Sequence, residues 1–195
     1  MSYRLYLLLL CAILVCGCES TGIPDSAYSV AENDEWAVFL NDEAVEEGDG
    51  ISPRKQVSLW VYNKSKRSAR KVLLSHLHAN GSWFSMEHAV RIPVDSIATI
   101  SRVTIISWIG EPLKILAEGC SDYRNVESYI ISEGSDTAIC LPTNRGLIGL
   151  SQEDRLLIMQ SHEYYPEGCR YNIIEAFDDN GKRIASMDAK VLFQQ

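Results

Sequence analysis

The chain has 195 residues, of which 46% are hydrophobic and 23% charged, and its formal net charge is -8. These proportions exclude a disordered or fibrous chain and fit one globular domain with a short additional segment. The acidic balance excludes general nucleic-acid binding, which needs clustered cations to neutralise phosphates, and favours solubility and basic partners.

The first element is an apolar run from Leu5 to Cys16 behind a lone cation, Arg4. A membrane-spanning helix needs about 20 apolar residues. This run is shorter and has the length of the hydrophobic region of an export signal. It ends in Val15-Cys16-Gly17-Cys18-Glu19. That string resembles the bacterial lipoprotein signal, in which an aliphatic residue, a small residue and Gly or Ala precede the Cys that is acylated; Cys16 stands in the small-residue position. The resemblance covers about a tenth of the chain. It implies cleavage before Cys18, lipid attachment at Cys18 and residence in the cell envelope, and Glu19 rather than Asp implies the periplasmic face of the outer membrane in a Gram-negative cell. Acyl chains contribute ~0.8 kcal/mol per buried methylene, so two or three of them anchor a protein without a transmembrane helix. Cleavage would remove Arg4 and no acid, leaving 17 Lys and Arg against 26 Asp and Glu.

Residues 19–34 hold Gly22, Pro24 and four acids with no base, a composition expected of a tether. The expected division is therefore a signal peptide over 1–17, a lipid-anchored tether over 18–34 and a single β-rich domain over 35–195. The domain opens with a predicted strand at 36–40. An acidic stretch follows, and then the charge sign reverses: seven bases and no acid lie between Gly50 and Met86. Within that stretch Val57, Leu59 and Val61 alternate with Ser58, Trp60 and Tyr62, the period of a strand with one buried face. A turn at 63–66, a strand at 72–78 and a hairpin at Asn80-Gly81 with its return limb at 82–84 come next. Further strands are expected at 89–92, 97–108, 113–117, 126–131, 138–141, 155–161, 171–177 and 183–193, the last two joined by the turn Asp178-Asp179-Asn180-Gly181. A short helix could start at Ser151, where Ser and acids suit an N-terminus.

Many short strands and no helix-length crossover predict a mainly β fold, an antiparallel β-sandwich or a partly open barrel. The run from Val57 to Asn63 and the charges after it resemble immunoglobulin-like modules, as they do many other sandwiches. Of the three cysteines outside the signal segment, Cys120 and Cys169 each follow Glu-Gly in polar turns and are the expected disulfide pair. Cys140 lies in an apolar strand and is expected to be a buried free thiol.

No catalytic motif is apparent. Ser52-Pro53-Arg54-Lys55 and Ser68-Ala69-Arg70-Lys71 match the Ser-x-x-Lys pattern of penicillin-recognising enzymes, but proline and flanking strands replace the helix start that this chemistry needs. His76 and His78 share one strand face and His88 lies across the turn from them, a weak candidate metal set without a carboxylate at fixed spacing. Lys64, Lys66, Arg67 and Arg70 form the candidate docking face for a charged partner or for anionic lipid. The expected function is that of a non-enzymatic envelope module: membrane-bound through its lipid, without cofactor or nucleic acid, and binding another envelope protein as an accessory or assembly subunit. A small-ligand or metal binder and a hydrolase without a recognised motif are the alternatives.

Overall fold

The computed structural model describes residues 22–45, 54–76, 88–97, 100–108, 111–120, 126–142, 144–164 and 170–188. The signal segment with Cys18, the Asn80-Gly81 hairpin, His78, Trp83 and Cys169 lie outside the described residues.

Among the described residues thirteen strands form three antiparallel sheets in chain order. The first is a meander of β1 (Tyr28–Glu32), β2 (Trp36–Val45), β3 (Arg54–Asn63) and β4 (Ser68–His76). The second contains β5 (Val90–Pro93), β6 (Arg102–Ile106), β7 (Lys114–Cys120), β8 (Val126–Ser132) and β9 (Thr137–Cys140) in the order β5-β9-β8-β7-β6. The chain therefore crosses from one edge of this sheet to the other between β5 and β6, through a short 3-10 turn at Val94–Ser96. A second meander, β10 (Gly146–Ser151), β11 (Leu156–Tyr164), β12 (Arg170–Asp178) and β13 (Arg183–Asp188), makes the third sheet.

The expected antiparallel β architecture is present, without a closed barrel, and it has three layers. Residue parity in the second sheet shows why. Ile115, Ala117, Tyr129 and Ile131 join Val38, Leu40, Leu59 and Val61 of the first sheet in one apolar cluster. Leu116 and Ile130, each one residue out of phase, join Leu147, Leu157, Met159 and Phe177 of the third sheet in another. The second sheet is thus the middle layer, buried on both faces, and β7 and β8 read as near-continuous apolar runs for that reason. All described strands of each sheet are consecutive in the chain, so the exchange of strands between sheets seen in immunoglobulin domains does not occur among them.

Local expectations fare unevenly. Val57, Leu59 and Val61 are 8, 0 and 3% exposed, as their alternation predicts. The tether expected over 18–34 does not hold for its last part, because Tyr28–Glu32 is a strand paired with β2. Before it, the Ala27 N–H donates to Pro24 O, and the Ser26 hydroxyl donates to Asn41 Oδ1 at 2.6 Å. Polar composition hid a strand whose stability comes from its neighbour's backbone. At Ser151 the hydroxyl accepts the Asp154 N–H at 3.3 Å, the cap bond foreseen, yet Arg155 adopts φ 56 and the chain turns into β11 instead of a helix. β2 pairs with β3 along its whole length, with Asp42 opposite Val57, Glu43 opposite Gln56 and Ala44 opposite Lys55, so the acidic and basic stretches run on adjacent strands without an acid directly opposite a base.

The turn between β12 and β13 forms as predicted, with Asp178 Oδ1 accepting the N–H groups of Asn180 and Lys182 at 2.9 Å each. Gly181 there has φ 79, and a Cβ on it would lie 2.7 Å from Ile139 Cγ2 and 2.9 Å from Ala89 Cβ. Glycine allows both the left-handed backbone and the close docking of this tip on the middle layer. Gly181→Ala is expected to lower stability by about 2 kcal/mol or more in urea titration; an unchanged midpoint would show that the tip is not docked.

Candidate functional site

A groove of about 890 Å³ runs between the first and middle layers, where β1 and β6 are the edge strands. Its wall on the first layer is the turn joining β1 to β2. Asn33 Oδ1 accepts the N–H groups of Glu35 and Trp36 at 3.0 and 2.8 Å, and the Asn33 N–H donates to Trp36 O. An Asn side chain standing in for backbone is the usual chemistry of such a turn. It holds Asp34 and Glu35 at an exposed tip. Lys64 fixes the tip from the next hairpin, its ammonium donating to Glu32 Oε1 at 2.5 Å and to Asn33 O at 2.6 Å.

The opposite wall is β6 and the turn after it. Trp108, 3% exposed, donates its indole N–H to Asp179 Oδ2 at 3.1 Å, and Lys114 Nζ lies 2.7 Å from the same oxygen. Glu111 donates its N–H to Trp108 O and pairs with Arg155 at 3.0 Å. Both walls are therefore braced from outside the groove. Four carboxylates line it, those of Glu32, Asp34, Glu35 and Glu111, and no Lys or Arg does. Glu32 and Glu111 have cationic partners, whereas Asp34 and Glu35 make no ion pair among the described residues. Between the walls, Val30, Ala31, Trp36 and Ile105 are only partly buried against the core.

A second polar cluster lies between the middle and third layers. Glu175, 2% exposed, meets Arg145 Nε at 2.5 Å and Arg183 at 3.1 Å, and the Ser161 hydroxyl donates to it at 3.4 Å. Glu118, 5% exposed, accepts the Leu147 N–H at 2.9 Å and pairs with Arg102 Nε at 3.5 Å without a hydrogen bond there. Buried carboxylates held by guanidinium groups and backbone are a means of fixing the relation between layers. No described serine or histidine in this cluster is paired as nucleophile and base.

The candidate residues from the sequence are dispersed. Lys66 and Arg67 are exposed on the turn between β3 and β4, and Arg70 is exposed with its guanidinium against Gly134. Lys64 differs from the expectation of a docking cation, since its ammonium is engaged within the fold. His88 is exposed and borders a smaller cavity of about 440 Å³ beside Asn180 and Lys182. His76 ends β4, and the side chains of His76 and Cys120 are outside the described residues, as are His78 and Cys169. Among the described residues no three His, Cys, Asp or Glu side chains stand close enough to share a metal ion. The groove was not legible in the sequence, because its chemistry comes from Trp36, Trp108, Asp34 and Glu111 on separate elements.

No family model, curated protein or solved structure matches the chain. Any functional reading therefore rests on its own residues.

Cys140 is a buried free thiol, as expected from its strand. Burial, and then the nearby Glu127 carboxylate, push its pKa up to about 12. Tyr129 donates its hydroxyl to Glu127, and burial followed by that bond raises the tyrosine's pKa as well. Both groups stay protonated in the folded state after their unfolded counterparts ionise. Their contribution is complete below the ordinary thiol value of 9.0 and is lost as pH rises above it. Stability measured by urea titration is expected to fall above pH 9.0 through Cys140 and above pH 10.0 through Tyr129 as well, by roughly 1.4 kcal/mol per pH unit per group. Iodoacetamide should leave Cys140 unmodified at neutral pH until the protein unfolds; rapid labelling of the native protein there would contradict its burial.

Proposed function

We propose that the chain is a lipid-anchored envelope protein that acts as a non-enzymatic binding module for another protein, as an accessory or assembly subunit. The observation that carries this reading is the groove beside β6, where a strand edge and two carboxylates that have no partner among the described residues lie together with partly exposed apolar side chains. A sheet edge bordering a groove is a recognised way to bind an extended segment: main-chain hydrogen bonds supply affinity and the groove supplies specificity. The anchor reading rests on the signal-like string ending in Cys18.

Chain geometry links the two. β1 begins at Tyr28, and the step from Cys18 to Tyr28 covers at most roughly 36 Å of extended backbone. A lipid on Cys18 would keep the domain within that reach of the membrane surface. Such a module would meet partners that are themselves at the membrane.

One experiment tests both parts. A photo-crosslinking amino acid is placed at Asp34, on the groove's tip, or at the exposed Ile184 on β13, and envelopes are irradiated and fractionated. The expected outcome is a membrane-fraction protein with a reproducible adduct from position 34 and none from 184, and release of the chain to the soluble fraction in Cys18→Ala. No adduct from position 34, or the same adducts from both positions, would overturn the binding reading. Undiminished membrane association of Cys18→Ala would overturn the anchor.

A further inference from the structure

Resting on the protein-binding reading, we infer that the groove's occupant is an extended, basic segment of a partner protein that adds, as a sixth strand of the middle layer, to the edge of β6 that has no hydrogen-bonded strand among the described residues. The argument starts from how this fold treats its edges. Exposed strand edges invite pairing with other chains, and folded proteins blunt them with bulges, prolines, short strands or charges. β1 carries a register shift between Ser29 and Ala31, and the β10–β11 and β12–β13 ladders shift between Leu147 and Gly149 and between Ala176 and Phe177. β4 borders a shifted ladder and bears Arg70 and Lys71, while β5 has four residues and ends in Pro93. β6 differs from these described edges. Its ladder with β7 runs without a shift from Arg102 to Ile106, and its sequence, Arg-Val-Thr-Ile-Ile, is rich in strand-forming residues and has no proline.

The regular edge is also the one that faces the groove, where Val103, Thr104 and Ile105 form part of the lining. A strand laid along it would turn alternate side chains toward Val30, Ala31 and Trp36, which are only partly buried. The charge of the rim selects among occupants. Asp34 and Glu35 at the tip, which make no ion pair among the described residues, favour Lys or Arg at the segment's outward positions. A second copy of this chain would bring the same carboxylates together across the new pair, so charge opposes self-association through β6. An anionic surface is disfavoured for the same reason.

The probe is the peptide acetyl-Lys-Val-Lys-Ile-Lys-Val-Lys-amide, added to the full chain in detergent micelles and followed by isotope-edited NMR and amide exchange. Binding is expected to shift and protect amides across residues 102–106. Asp34→Lys with Glu35→Lys should weaken it by about tenfold or more, as should replacing every Lys of the peptide by Glu. Ile105→Pro, which removes a backbone donor from the side of β6 that faces away from β7, should abolish the protection, and the retained spectrum of the third layer would show that the variant still folds. Absence of binding, binding without protection of β6, indifference to the charge reversals, or dimerisation through β6 in the absence of peptide would each overturn the inference. A cross-linked partner at Asp34 combined with failure of the peptide would leave the binding reading standing and reject this occupant; failure of both would remove the binding reading itself.

Discussion

The fold depends on burying the middle sheet on both faces. Leu116 and Ile130 face the third layer while Ile115, Tyr129 and Ile131 face the first, and all five are no more than 1% exposed. Each such side chain contributes on the order of 1.5–3 kcal/mol relative to solvent exposure. Neither outer sheet shares a core with the other: each one's buried side chains belong to a cluster with β6 to β9. The polar contacts then fix how the layers sit. Glu118 reaches from β7 to the start of β10, Arg145 and Arg183 converge on Glu175, and Lys114 and Trp108 hold the tip of the β12–β13 hairpin through Asp179.

An open sheet always has two edge strands, and the two of the middle layer are unlike. The β5 end is short, closes on a proline and passes into the 3-10 turn that touches β4. The β6 end is regular and opens into the acidic groove. A binding site at that end would use a property the fold already requires, the unpaired edge of its central sheet, and would need no catalytic group.

Period-2 alternation made β3 readable from the sequence, and Gly181 with its preceding acids marked the β12–β13 turn. The layer count was not readable, because Ile130 and Ile131 look alike in sequence and differ only in which sheet each meets. β1 was missed since Tyr28-Ser29-Val30-Ala31-Glu32 has weak alternation and a bulge breaks it. β10 was missed for a similar reason, two glycines and a register shift in Gly146–Ser151. The basic stretch was noticed as a surface feature, but register revealed its acidic neighbour, and Lys64 proved to be a brace for the groove. The groove's residues come from positions 30 to 152, and only tertiary structure brings them together.

Residue-resolved amide exchange on the full chain tests the central claim, a doubly buried middle sheet with one open edge. The account predicts the slowest exchange in β7 and β8, with clearly faster exchange at alternate amides of β6, where one set of backbone groups has no strand partner. Uniform slow exchange across β6 would mean that its edge is already covered, and fast exchange in β7 and β8 would contradict the three-layer core.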